Sequence, residues 1–250
     1  MPPPHLPLEV AQMLSSVNPN MALVNQHYHS ALRYPTYVHD PNLKYLQAPK
    51  NVSIQDLIAK PASIRDPVVL DLSQLGIHND TFQYLHLPKL LSQYPNVQKL
   101  MLQHQKINLP FAACLSSGLM QCPNMTAISL RHCAMKDPEF EIIMNSLVEC
   151  KNLRHVDLSE NKVCNGSNRK YECNLNGLRI LASCGSITTI DLSDNGLDGH
   201  IDFLATCLNA VWFVGLQTLD LSKNNLSFAE QQKLMSVNRN LQISVENYPR

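Results

Sequence analysis

Three eleven-residue segments in the second half of the chain share one arrangement of apolar and asparagine positions. The segments read LRHVDLSENKV (153–163), ITTIDLSDNGL (187–197) and LQTLDLSKNNL (216–226). Apolar residues fill positions 1, 4, 6 and 11, asparagine fills position 9, and the residues between them vary. A pattern that returns about once every 30 residues indicates a chain built from stacked copies of one structural unit.

The same pattern continues towards the amino terminus with decreasing fidelity. MTAISLRHCAM (125–135) carries Cys133 at position 9, VQKLMLQHQKI (97–107) carries Gln105 there, and PVVLDLSQLGI (67–77) fits only loosely with Leu75. From residue 67, position 1 recurs after 30, 28, 28, 34 and 29 residues, and LQISV (241–245) adds a last partial copy. Because an isolated copy cannot bury its apolar side chains, we expect about six repeats and a C-terminal cap to fold together over residues 67–250.

The segments between these copies have the apolar spacing of helices. In DPEFEIIMNSLVEC, Asp137 is predicted as the N-cap and Pro138 as the first helical residue, and Phe140, Ile143 and Leu147 follow on one face. SFAE (227–230) has the form of a capping box at the start of the last helix. Strands that alternate with helices predict an α/β fold with a parallel sheet.

Repeats of 28 to 30 residues with this pattern and full helices resemble the leucine-rich repeat superfamily, and within it the ribonuclease-inhibitor type. The resemblance implies an α/β leucine-rich repeat solenoid, a curved horseshoe with its parallel strands on the concave side and its helices on the convex side. It also implies a non-catalytic scaffold that binds protein partners as a structural subunit of a larger intracellular assembly, cytoskeletal or ciliary in kind. Two alternatives remain: a regulator of an enzyme, such as a GTPase-activating protein, and a secreted recognition receptor.

Position 9 lies where the chain turns away from the strand, and the residues there are expected to be structural. An asparagine amide at this position can hydrogen-bond the backbone of the next repeat, so stacked copies satisfy a buried line of polar groups. Gln105 and Leu75 fit such a line less well, and the early repeats are therefore expected to be less regular. The predicted ladder consists of Cys133, Asn161, Asn195 and Asn224.

Positions 2, 3, 5, 7 and 8 of the repeats are expected to face solvent on the concave side and to bind a partner. Their charges run from basic in the earlier repeats to acidic in the later ones, and such a surface would orient a charged partner. The aspartates at position 5 recur with the repeat, so we interpret them as a regular row and not as a catalytic pair. The predicted binding residues are Lys99, His104, Arg131, His132, Arg154, His155, Asp157, Glu160, Asp191, Asp194 and Asp220.

The 34-residue step contains an insertion within NGSNRKYECN (165–174). Insertions in solenoids emerge as surface loops, and this one is basic and carries an aromatic ring. The loop is predicted either to contact a partner or to be a tolerated surface insertion. Its candidate contact residues are Arg169, Lys170 and Tyr171.

Residues 1–66 differ from the repeats in composition, since they hold 9 of the 16 prolines and none of the 8 glycines. The segments 8–17 and 18–34 have amphipathic helical spacing, and SIQDLIAK (53–60) is a third short candidate helix. A solenoid covers the open end of its first repeat, for which about residues 50–66 would suffice. We therefore expect a Pro-rich, partly helical N-terminal arm and cap over residues 1–66, with the arm on another surface of this protein or of a partner.

The eight cysteines follow the repeat and not a metal-binding spacing. Cys122, Cys150 and Cys184 each lie three residues before position 1 of the next repeat. Their spacing predicts buried thiols about 10 Å apart, which is too far for a disulfide. No C-x-x-C pair is present, so no zinc site is predicted. Cys164 and Cys173 flank the insertion, where an oxidising compartment would permit a bridge.

Charge and motifs argue against several functional classes. Lys+Arg and Asp+Glu both number 20, so neither a nucleic-acid nor a membrane partner is expected. The start MPPPHLPLEV lacks signal-peptide features, and we expect a cytoplasmic or cytoskeletal, including ciliary, protein that is not secreted. No phosphate-loop, G-x-S-x-G or H-E-x-x-H motif is present, so no enzyme activity, cofactor or small-molecule substrate is predicted. His104 and His132 share position 8 and are interpreted as surface histidines, with a metal-binding pair as the alternative.

Overall fold

The computed structural model describes residues 45–48, 52–59, 67–75, 83–161, 176–209, 215–237 and 241–245. The chain divides into two units, Met1–Tyr45 and Leu46–Arg250, and the fold described below is that of the second unit, together with the boundary residue Tyr45, which begins strand β1. The predicted arm helices, the loop residues Arg169, Lys170 and Tyr171, and the pair Cys164 and Cys173 lie outside the described residues.

Strands and helices alternate along the described chain. They are β1 (Tyr45–Gln47), α1 (Ile54–Ala59), β2 (Val69–Asp71), a 3₁₀ turn (Gln83–His86) that continues into α2 (Leu87–Ser92), β3 (Lys99–Met101), α3 (Leu109–Leu119), β4 (Ala127–Ser129), α4 (Asp137–Val148), β5 (His155–Asp157), α5 (Asn176–Ala182), β6 (Thr189–Asp191), α6 (Ile201–Asn209), β7 (Thr218–Asp220), α7 (Phe228–Val237) and β8 (Gln242–Ser244). The strands form one sheet in the order β1 to β8, and every pairing from β2 to β8 is parallel. This arrangement confirms the predicted α/β leucine-rich repeat solenoid.

Each strand covers positions 3, 4 and 5 of its repeat, and these positions align across the sheet. Position 4 pairs in sequence from Leu100 through Ile128, Val156 and Ile190 to Leu219. Side chains alternate between the two faces of a strand, so positions 4 and 6 share one face, and they are buried there. The helices cover this face, each contacting the next in chain order from α1 to α7, and one core therefore runs through the stack.

The helix starts follow local capping chemistry. Ser227 and Glu230 form the predicted capping box of α7: the Ser227 N–H donates to the Glu230 carboxylate at 2.8 Å, and the Glu230 N–H donates to Ser227 Oγ at 3.4 Å. The N-cap prediction for α4 is wrong by one residue. Lys136 is the N-cap, because its backbone is extended and its N–H donates to Glu139 Oε2 at 3.2 Å, so the helix begins at Asp137.

Cys122, Cys150 and Cys184 are buried free thiols, as predicted. Burial raises the pKa of the Cys122 thiol to about 12, and proximity to Cys150 adds to this increase. Burial likewise raises the pKa of Cys150 to about 11. The thiols of Cys122 and Cys150 therefore stay protonated at neutral pH and act as small apolar packing groups.

Within the described part of the chain, no helix has the length and apolar character needed to cross a membrane.

Candidate functional site

Asparagine side chains at position 9 connect neighbouring repeats through buried hydrogen bonds. Asn161 Oδ1 accepts from the Cys133 N–H at 2.9 Å, and Asn161 Nδ2 donates to Leu130 O at 2.8 Å. Asn195 Oδ1 accepts from the Asn161 N–H at 3.1 Å, and Asn224 Oδ1 accepts from the Asn195 N–H at 2.8 Å. The partners lie in the preceding repeat and not in the next one, which corrects the expected direction of the ladder.

The ladder extends further towards the amino terminus than the sequence indicates. Cys133 Sγ donates to Leu102 O at 3.1 Å, in the preceding repeat. Gln105 Nε2 donates to Leu72 O at 3.2 Å and to Ser73 O at 2.9 Å. The expectation that Gln105 fits poorly is therefore wrong, because the longer amide still reaches the carbonyls of the preceding turn. Leu75 is buried without a polar group to contribute.

Position 8 residues form a row at the carboxyl-terminal ends of the strands, in left-handed backbone geometry. His104, His132, Glu160 and Asp194 all have positive φ, between 53° and 63°. His104 and His132 do lie next to each other, with ring centroids 5.2 Å apart, and His132 Nδ1 lies 3.4 Å from Glu160 Oε2. Glu160 also pairs with Arg131. Among the described residues, no group of three or more possible ligands could hold a metal ion.

The polar face of the sheet, which carries positions 3, 5 and 7, is buried over its first strands. Lys99 is 4 % exposed and Asp157 is 6 % exposed, so the prediction that both face solvent is wrong. Burial lowers the pKa of Lys99 to about 8, although Asp157 and Asp71 oppose this decrease. A side chain on an inner strand is enclosed by neighbours on both adjacent strands, and repeat position alone does not reveal that enclosure.

Asp157 belongs to a buried polar network that the repeat pattern does not indicate. Its Oδ2 accepts from Ser129 Oγ at 2.7 Å, and Ser129 Oγ accepts from Gln103 Nε2 at 3.1 Å. Its Oδ1 accepts from the Ser159 N–H at 3.1 Å. Satisfied in this way, the carboxylate tolerates burial and holds strands β3 to β5 together.

The recurring DLS sequence has a local structural cause. In each copy the Oδ1 atom of the aspartate accepts from the N–H of the serine two residues later, which fixes the turn at the end of the strand. The bonds are 2.9 Å from Ser73 to Asp71, 3.1 Å from Ser159 to Asp157, 2.8 Å from Ser193 to Asp191 and 2.8 Å from Ser222 to Asp220. The signal in the sequence is the two-residue spacing from aspartate to serine, which is typical of an Asx turn.

Asp157, Asp191 and Asp220 lie side by side on β5, β6 and β7. Burial, followed by repulsion from Asp157, raises the pKa of Asp191 to about 6, and Asp220 adds to the repulsion. Asp191 and Asp220 are half-buried, as are Thr189 and Thr218 beside them. Over β6 and β7 the polar face is thus acidic and partly accessible.

Because the pKa of Asp191 is raised, removing its charge is predicted to increase the stability of the fold, by an amount that depends on pH. A raised folded-state pKa means that this carboxyl stabilises the fold most below its unfolded pKa of about 4, and the contribution is lost as the pH rises through about 6. Asp191→Asn should therefore raise the free energy of unfolding by about 1 kcal/mol at pH 7, allowing for solvent screening, and leave it unchanged at pH 4. Thermal melts at the two pH values measure this, with exposed Asp198→Asn as control; an equal gain at both values would contradict the explanation.

The basic residues of the predicted surface are held by internal contacts. Arg131 pairs with Glu160. Arg154 lies at the amino-terminal edge of the strands, where its Nη1 donates to Ser186 O at 3.1 Å and to Leu153 O at 3.3 Å. His155 is half-buried, and burial together with the charges of Lys99 and Arg154 lowers its pKa. The charge gradient expected from the sequence is thus weakened at its basic end.

No family model matches the sequence, and no curated protein matches it closely enough to count as a relative. Among solved structures, the chain is similar to the leucine-rich repeat-containing protein LegL7 from Legionella pneumophila, at 15% sequence identity and a TM-score of 0.46. The match covers 82% of this chain and 72% of that one. The sheet register, the helices on one face and the position 9 ladder together identify the fold of this chain as a leucine-rich repeat solenoid.

Proposed function

We propose that this protein is a non-catalytic interaction scaffold, a structural subunit of a larger intracellular assembly of cytoskeletal or ciliary kind. It docks through the polar face of its sheet and through its N-terminal arm. The cytoskeletal or ciliary setting rests on the resemblance to ribonuclease-inhibitor-type repeats, many of which serve such assemblies.

The observation that carries this proposal is the half-exposed polar face over β6 and β7. Parallel sheets usually have both faces covered, and among the described residues the helices cover the apolar face of these strands and leave the polar face partly accessible. Solenoids use such extended strand surfaces to bind partners. Because Asp191 and Asp220 give the surface negative charge, the partner it suits presents a basic surface.

Two further contacts complete the proposal. The amphipathic segments of residues 8–17 and 18–34 supply an arm that docks on a partner. The basic insertion with Arg169, Lys170 and Tyr171 supplies a second contact of opposite charge to the acidic strands. Both rest on sequence pattern alone.

The test is a tagged affinity purification from the native source, comparing the full chain, a form lacking residues 1–44, which keeps strand β1, and Asp191→Lys. We expect stoichiometric co-purifying subunits with the full chain, and their loss with both altered forms, since each removes one docking element. Asp198→Lys is the matched control, because Asp198 is exposed outside the strands and should retain the subunits. Circular dichroism must show that each form is folded. Unchanged co-purification with Asp191→Lys would contradict a role for the acidic face.

A further inference from the structure

A polar groove lies at the amino-terminal edge of β3, β4 and β5, away from the acidic strands of the proposed docking face. Its volume is about 480 Å³, within the range of ligand-binding clefts. Asn96, Asn124 and Asn152 line it, each placed one residue before position 1 of its repeat. Gln98, Thr126 and Arg154, each at position 2, are the other polar residues of the described lining.

Asn124 and Asn152 in this groove each keep a side-chain oxygen that accepts no hydrogen bond from the described residues. Asn124 Nδ2 donates to Asn96 Oδ1 at 3.1 Å, and Asn152 Nδ2 donates to Pro123 O at 3.1 Å. These bonds fix the two amide planes, but neither Asn124 Oδ1 nor Asn152 Oδ1 accepts a hydrogen bond from the described residues. A side-chain amide offers an acceptor beside a donor, which matches the donor and acceptor of a peptide unit.

Arg154 is the one charged residue among the described residues that line the groove. Its Nη1 is held by two backbone carbonyls, of Ser186 and Leu153, which restrains the guanidinium before any ligand arrives. Its Nε and Nη2 have no protein acceptor among the described residues, and together they form the side edge of the guanidinium. That edge is the fork that binds a carboxylate through two parallel hydrogen bonds.

The length of the groove and the residues that line it limit the class of ligand that it can bind. The groove crosses three strands, or two strand spacings of about 4.8 Å, which corresponds to about three residues of extended chain. The described residues that line it include no aromatic ring on which a base or a sugar could stack. These residues include no carboxylate either, so the charge of Arg154 favours an acidic ligand over a basic one.

We propose that this groove binds a short, extended acidic segment of a partner protein. A carboxylate of the segment pairs with the side edge of Arg154, and its backbone amides bond to Asn124 and Asn152. The groove does not include the acidic strands β6 and β7, so the segment can bind there even if the proposed docking through Asp191 fails.

The test is fluorescence anisotropy of the full chain with a labelled peptide, Ac-Ser-Val-Asp-Val-Ser-NH2. We expect saturable binding below about 1 mM, weakened about tenfold or more by Arg154→Gln and to a similar degree by Arg154→Lys, because lysine keeps the charge but loses the fork. Asn124→Leu should weaken binding about fivefold through the lost backbone contact. Arg179→Gln is the matched control, since Arg179 is an exposed arginine on α5, and it should bind the peptide as the unaltered chain does.

Altered peptides separate backbone recognition from carboxylate recognition. The same peptide with the aspartate replaced by asparagine, and a version with N-methylated valines, should each bind less tightly. Equal binding of the N-methylated peptide, or full competition by succinate, would overturn the peptide assignment and leave a carboxylate site. Equal binding by Arg154→Gln, or no saturable binding up to about 1 mM, would overturn the site itself.

Discussion

Leu158→Asp is expected to abolish the cooperative folding of the repeat array. Leu158 occupies position 6 and is 0 % exposed, in the core between the sheet and the helices. A carboxyl group there has no polar partner and costs more than about 5 kcal/mol whether it stays charged or takes up a proton, which is comparable to the whole stability of many domains. Circular dichroism should show loss of helix signal and of the thermal transition.

The matched control for this change is Leu85→Asp. Leu85 is 53 % exposed in the 3₁₀ turn before α2, so the same substitution there should change the melting temperature by only a few degrees. A Leu158→Asp protein that melts cooperatively near the temperature of the unaltered chain would show that the core is not continuous at position 6.

Asn195→Leu is expected to give the second largest loss of stability, about 3–5 kcal/mol. The substitution removes the acceptor of the Asn161 N–H, which is then buried without a partner. It also removes one of the two side-chain donors to Leu158 O, at 3.0 Å, while Asn161 Nδ2 still donates there at 2.9 Å. Chemical denaturation measures the loss. Hydrogen exchange should in addition show faster exchange of the Asn161 amide, one repeat away from the substitution.

Two comparisons make the Asn195 result specific to the ladder. Asn195→Cys should cost clearly less than Asn195→Leu, because Cys133 fills the same slot and its Sγ donates to Leu102 O. Asn145→Leu, on the exposed surface of α4, should be nearly neutral. If the leucine and cysteine variants at position 195 were equally stable, the amide would contribute packing volume and not hydrogen bonds.

Much of the fold could be predicted because each position of the repeat specifies the face of the sheet to which its side chain points. Alternation along a strand sends Ile190 to the core and Asp191 to the other face, and the recurrence of position 4 places one strand beside the next. The buried thiols followed from the same register. Where a prediction depended only on which way a side chain points, the sequence was sufficient.

The candidate surface was predicted less well, because accessibility depends on what surrounds a side chain. Lys99 and Asp157 point to the expected face, yet neighbours enclose both of them. Gln105 was judged by its type, although the length of its side chain lets it make the bonds of an asparagine. The groove beside Arg154 was missed because its asparagines lie between strand and helix, outside the eleven-residue pattern.

The position 9 ladder also gives the stack a polarity. Each asparagine supplies its amide to the repeat before it, so the two ends of the array are not equivalent: the first repeat receives bonds, and the last one provides them. Removing repeats from the carboxyl end therefore strips acceptors from buried N–H groups upstream, beginning with that of Asn195. A duplicated copy of residues 187–215 would bond to its neighbours in the same way. Its own asparagine would bond to the repeat before it, and the asparagine of the following repeat would bond to the copy. A chain of this kind can change length by whole repeats without a new connecting interaction.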